Sequence, residues 1–145
     1  MKLLLFIFLS LSLTPVKWLG DLQLAKSEAA ASHKCILINF SGSDWCGPCI
    51  RLRREILESS VFTDYAAPNI ILLRADFPRK KKNQLDLNQV KLNETLAEKY
   101  NPEGKFPFTL LVDFNGRILK SWDGYPEESP EKFVSEIKQL ADGSH

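Results

Sequence analysis

Methionine occurs once in the 145 residues, histidine twice and cysteine three times. A zinc site built from four Cys or His ligands would use nearly that whole supply. An excess of one charge is lacking too: 19 Lys and Arg stand against 18 Asp and Glu, a net charge of +1. That balance calls for neither nucleic acid nor an anionic membrane as a partner. The apolar run at residues 3–13 is shorter than the ~20 residues a membrane-spanning helix needs, and Pro15 and Lys17 end it. There is no internal repeat and no low-complexity tract. What is present, 44% hydrophobic and 26% charged residues, suits one domain with a core of its own.

Lys2 followed by residues 3–13 has the make-up of a secretory leader, a positive start and a short apolar stretch. We read residues 1–16 as that leader and residues 17–145 as the domain, which places the protein outside the cytoplasm. Ser10 and Ser12 are small residues at suitable spacing for cleavage. Ala29-Ala30-Ala31 also fits, but it lies far from the apolar run and inside an expected helix. No cysteine follows the run closely, which argues against a lipid anchor. Two other readings stand beside export: a buried N-terminal helix, and an uncleaved leader that tethers the chain to a membrane.

The chemistry concentrates in Asp44-Trp45-Cys46-Gly47-Pro48-Cys49. Ahead of it, Ile36-Leu37-Ile38-Asn39-Phe40 is short and apolar enough for a buried strand. Behind it, Ile50, Leu52, Ile56 and Leu57 recur among Arg and Glu at helical spacing, so residues 47–59 read as a helix. Two cysteines therefore sit where a strand hands over to a helix. The free backbone N–H groups of a helix start favour an anion, so Cys46 should ionise more readily than a free thiol. Cys49, one turn further in, lies within reach of any mixed disulfide formed by Cys46. Two other readings of the pair are half of a zinc site and a structural disulfide that never turns over. For zinc, the remaining candidates Cys35, His33 and His145 supply no second ligand pair at customary spacing. Cys35, among apolar neighbours, reads as a buried, inert thiol.

Trp45-Cys46-Gly47-Pro48-Cys49 resembles the active-site motif of the thioredoxin-like thiol–disulfide oxidoreductases. The likeness extends to Phe106-Pro107-Phe108-Thr109-Leu110-Leu111-Val112-Asp113 and Asn115-Gly116, which look like that family's cis-proline loop and following hairpin. One extra residue between Phe40 and Cys46, relative to ordinary cytoplasmic thioredoxin, is similar to the secreted bacterial branch. The resemblance runs from about Trp18 to Leu140. It implies an α/β thioredoxin-like fold, a mixed central sheet with helices on both faces. It further implies a redox-active disulfide between Cys46 and Cys49, with Cys46 as nucleophile and Cys49 as resolving thiol. Trp45, Gly47, Pro48, Phe106 and Pro107 would form the substrate-binding surface, with Pro107 the cis-proline facing Cys46. No metal or other cofactor is implied. The partners would be protein disulfides and a membrane-bound thiol donor in the periplasm, and the chain is expected to be a monomer. Gly-Pro between the cysteines is, in family terms, the dipeptide of a reductant.

One departure concerns proton transfer. The family buries an acidic residue in the first core strand, where this chain has Asn39. An amide cannot take the Cys49 proton, so slower resolution is expected. Two rival functions remain, a redox-silent thioredoxin-fold binding or chaperone module and a thiol peroxidase. The peroxidase wants a proline ahead of the reactive cysteine, and Ser41-Gly42-Ser43-Asp44-Trp45 supplies none.

The rest of the chain reads around this motif. Residues 21–32 suggest a helix with Asp21 as N-cap, and residues 70–76 a second strand buried on both faces. Pro68-Asn69 is expected as a break. Residues 77–87, with Arg79-Lys80-Lys81-Lys82, read as a solvated loop. A docking site for an acidic or phosphate-bearing partner is the alternative, and no interleaved aromatics favour nucleic acid. Residues 89–100 suggest another helix, residues 108–114 and 117–122 a hairpin, and Ser129-Pro130 the start of a last helix.

Overall fold

In the computed structural model, which describes residues 15–144, the elements follow the order read above, with additions. They are β1 (Trp18–Leu19), α1 (Leu22–Ser32), β2 (Ile36–Ser41), α2 (Gly47–Leu52), α3 (Ser60–Asn69), β3 (Ile71–Asp76), α4 (Leu87–Tyr100), β4 (Phe108–Val112), β5 (Ile118–Asp123) and α5 (Pro130–Asp142). The leader assigned to residues 1–16 lies almost wholly outside the described residues. Among the described residues no helix is long and apolar enough to cross a membrane.

The strands form one sheet in the order β1-β3-β2-β4-β5. β3 runs parallel to β1 and β2, whereas β4 is antiparallel to β2 and to β5. Helices cover both faces, so β2 is buried at all six positions and has no polar side. On one face Leu37 packs with Leu52, Ile56, Phe62, Phe133 and Ile137 from α2, the turn after it, α3 and α5. On the other, Ile36, Ile38 and Phe40 meet Ala25 and Ala29 of α1 and Leu96 and Tyr100 of α4. Phe40, Phe62 and Phe133 are fully buried, each contributing about 1.5–3 kcal/mol of transfer free energy.

Local chemistry sets the ends of these elements. The side chains of Asp21, Ser59, Asp86 and Ser129 accept from the backbone N–H of Gln23, Phe62, Gln89 and Lys132, capping α1, α3, α4 and α5. In the hairpin, the Asp113 carboxylate accepts from the Asn115 and Arg117 amides, and Gly116 takes φ 87°, a left-handed conformation suited to glycine.

Three features differ from the sequence reading. β1 is only two residues long, too short for a periodicity to register. Residues 60–69 form α3, with Pro68 tolerated in its last turn. The active-site helix does not stay α-helical to residue 59: it widens into a π turn at Arg53–Leu57. That turn puts Ile56 and Leu57 into the core while Arg54 and Glu55 stay exposed.

Candidate active site

Between the last residue of β2 and the first of α2 the chain turns tightly. The Trp45 and Cys46 amides both donate to Gly42 O, at 3.3 and 2.9 Å. Gly42 is required sterically, because a Cβ there would run into the Trp45 indole. Asp76, at the end of β3, anchors the turn from the neighbouring strand by accepting from the Ser43 backbone N–H and hydroxyl. Cys46 is the N-cap of α2, and its sulfur accepts from the Cys49 amide at 3.2 Å. Pro48 sits in the first helical turn, where its missing N–H costs no intrahelical bond.

Cys46 and Cys49 are joined as a disulfide, with their Cα atoms 5.2 Å apart. Both are buried, Gly47 and Pro48 between them are exposed, and the Gly42 amide donates to Cys49 Sγ at 3.4 Å. Among the described residues, no group of three or more His, Cys, Asp or Glu is placed to hold a metal ion.

The Phe106–Pro107 peptide is cis. Its loop is shaped by buried Asn101, whose amide accepts from the Lys105 N–H and donates to the Lys105 carbonyl. The Gly124 amide donates to Pro107 O at 2.9 Å. Phe106 meets Trp45 edge-on, with ring centroids 5.6 Å apart, and Phe77 at 5.4 Å. Trp45, next to Cys46 in the chain, thus brings the Phe106 ring to the side of the cysteine pair. Cys35 lies apart from it, just before β2, where burial pushes its thiol up and makes it a poor nucleophile.

A polar row crosses the sheet on the face that carries α2. Arg74, Asn39 and Thr109 are register partners on β3, β2 and β4. Arg74 Nε donates to Asn39 Oδ1 at 3.3 Å, and Asn39 Nδ2 donates to Thr109 Oγ1 at 3.2 Å. The Arg74 guanidinium stacks 4.0 Å over the Trp18 ring, and burial pulls its pKa below the ordinary value, partly countered by Asp76. The position where the family keeps an acid thus holds an amide fastened to a cation. Arg74 was hidden in the sequence because it interrupts an apolar strand by a single residue.

Asp44, at the partly exposed edge of the turn, works as a latch. Its carboxylate accepts from the backbone amides of Arg79 and Lys80 and from the Asn83 side chain, all at 2.9 Å. Trp45 Nε1 donates to Phe77 O at 2.7 Å, alongside. These bonds hold the Asp44 carboxyl below its ordinary value of 3.8, the Arg79 amide contributing most. A depressed carboxylate stabilises its bonded partners above the unfolded pKa and loses that effect as pH falls through the folded one. The latch should therefore stay shut through the usual carboxylate range and open only below pH 3.8. Asp44→Ala should speed amide exchange at Arg79 and Lys80 by about tenfold at neutral pH. Unchanged protection in the variant would refute the latch.

A thioredoxin-like family model matches residues 17–113, which take in the turn, both cysteines and the cis-proline loop. The chain belongs to the thioredoxin-like family. Among relatives in this family, the disulfide bond reductase DsbH of Chlamydia pneumoniae is 32% identical over 114 residues, 79% of this chain and 66% of that protein. The thioredoxin-related protein DsbJ of the same organism is 28% identical over 130 residues, 82% of this chain but 36% of that protein. The chain thus spans under two thirds of the length of either. A solved structure titled DsbH Oxidoreductase superposes with a TM-score of 0.79 at 29% identity, covering 89% of this chain and 86% of that one.

Proposed function

We propose that the chain is an extracytoplasmic thiol–disulfide oxidoreductase acting on protein disulfides in the reducing or interchange direction. The observation that carries the reading is the Cys46–Cys49 disulfide at the head of α2, beside the Phe106–Pro107 loop. A reductase of disulfide bonds among its relatives supports the direction, as does the Gly47-Pro48 dipeptide. The apolar leader at residues 1–16 supports export.

In the reduced protein the Cys46 thiolate attacks one sulfur of a substrate disulfide. A mixed disulfide forms, and the first substrate thiolate leaves. Cys49, deprotonated, then attacks Cys46 Sγ, closing the internal disulfide and expelling the second thiolate. Two electrons have passed to the substrate, whose thiolates take up two protons. A thiol donor, expected to be membrane-bound, reverses the same exchange to reopen Cys46–Cys49. Cys46 is the attacking thiol because it caps the helix, where backbone N–H groups stabilise its anion. Trp45, Gly47, Pro48, Phe106 and Pro107 form the surface on which an extended substrate lies. The protein works as a monomer and needs no cofactor.

Insulin reduction by dithiothreitol provides the test. Catalytic amounts of the chain should bring on B-chain precipitation well before dithiothreitol alone does. Precipitation no faster than the uncatalysed control would instead identify a redox-silent binding module.

A further inference from the structure

The segment after β3 carries four consecutive exposed cations, Arg79, Lys80, Lys81 and Lys82. It is no free loop. The Asp44 latch holds its backbone, and residues 81–83 wind into a single 3-10 turn. The Arg79 guanidinium lies 3.6 Å over the Trp45 ring. Phe77, at the root of the segment, packs on Phe106. Arg79 is therefore fixed on the Trp45 ring beside the cysteine pair, and the backbone that carries Lys80, Lys81 and Lys82 is held next to it.

Their charge is offset only in part, by the Asp44 carboxylate, which acts coulombically on Lys80. Nearby Arg51 pairs with Glu55 and Glu127, and Lys105 pairs with Glu103 and Asp123. Among the described residues, none of the side chains at 79–82 lies in an ion pair with a carboxylate. Asp44, the one carboxylate bonded to the segment, spends its oxygens on backbone amides and the Asn83 side chain. The result is a one-sided positive field on one flank of the disulfide.

We propose that residues 79–82 are a specificity element, which selects disulfide-bearing proteins whose chain beside the reacting cysteine is acidic. This rests on the oxidoreductase reading above. Fixed cations focus the field and raise the encounter rate of an oppositely charged partner by roughly 10- to 1000-fold at low salt. Because Asp44 orders the segment beforehand, docking does not bear the entropy of ordering it. A basic flank meets repulsion at the same place.

The test compares three peptides, each with one intrachain disulfide, that differ only in flanks of Asp, Asn or Lys. Their second-order rates of reduction by the fully reduced chain are measured at low and high salt. The parent should prefer the acidic over the neutral peptide by about tenfold at low salt, and the preference should shrink towards parity near 1 M salt, where screening reaches about 3 Å. Lys80→Gln/Lys81→Gln/Lys82→Gln should bring the ratio close to one. The backbone bonds to Asp44 survive that change. Lys80→Glu/Lys81→Glu/Lys82→Glu should favour the basic peptide. Lys99→Gln/Lys132→Gln/Lys138→Gln, with the same change of net charge on α4 and α5, should keep the parent's ratio.

A parent that reduces all three peptides at one rate overturns the proposal and leaves the oxidoreductase reading intact. A parent that reduces none overturns that reading. If the Gln variant keeps its peptide preference but loses binding to phosphatidylglycerol vesicles, the segment is a lipid-facing element and the proposal falls.

Discussion

Cys46→Ser should abolish disulfide reduction, by a factor on the order of 10³ or more, while Cys49→Ser should stop the cycle halfway. The two sulfurs are chemically alike and share one disulfide, so the asymmetry comes from position. Cys46 caps α2 beside Trp45, with its sulfur facing the Cys49 amide at 3.2 Å. Reduction leaves that amide, and the helix start behind it, to stabilise the Cys46 thiolate. Serine there stays protonated near neutral pH and forms no mixed disulfide. With Cys49→Ser the first attack still occurs, but no second thiolate can release the product. Substrates should then accumulate in covalent adducts through Cys46. Adducts that appear on a non-reducing gel and vanish with dithiothreitol would check this. Adducts from Cys46→Ser and none from Cys49→Ser would reverse the assigned roles.

The parts legible in the sequence were those whose signals are local. The cysteine pair at a strand-to-helix junction, the Asp21 cap, the Ser129-Pro130 start of α5 and the apolar run Ile70-Ile71-Leu72-Leu73 that leads β3 each depend on a few neighbouring residues. The thioredoxin-like topology followed from their order and from the likeness of the cis-proline loop. The features that escaped depend on long-range partners or on competing signals. Pro68 reads as a break, although in α3 it falls where the helix is about to end anyway. The Ser59 cap and the Phe62–Ala66 spacing were the usable signs of that helix. Asp44 contacts residues 35 and more positions away, so nothing near it in the chain announces the latch. The basic run is solvated, as it read, but its fastening to Trp45 and Asp44 needs partners far off in the chain. Asn39 was recognisable as a departure, but its tie to Arg74 needed the strand register.

That tie decides what an acid restored at position 39 would do. Asn39→Asp should speed the resolving step only several-fold, whereas Asn39→Asp/Arg74→Met should gain about 10²-fold, the low end for a positioned general base. In the single variant the new carboxylate would receive the Arg74 Nε–H that Asn39 Oδ1 now accepts at 3.3 Å. A guanidinium at that range keeps it ionised and weakly basic, poorly matched to a thiol proton. Methionine preserves the stem against Trp18 and removes the cation. Burial then raises the carboxyl pKa towards that of the thiol, while the Thr109 hydroxyl can turn to donate to it. Stopped-flow reaction with dithionitrobenzoate separates the steps, since the first thionitrobenzoate reports attack by Cys46 and the second reports resolution by Cys49. Only the second phase should accelerate, and Arg74→Met alone should leave it slow. Stability supplies an independent reading of the same carboxyl. A group whose folded pKa is raised loses stability as pH climbs above its unfolded value, about 3.9, by about 1.4 kcal/mol for every tenfold rise in its proton affinity on folding. The double variant should therefore unfold at lower urea concentration at pH 7 than at pH 4, relative to the parent. A second phase that is equally slow in all four proteins would mean that no carboxylate at position 39 reaches the Cys49 proton.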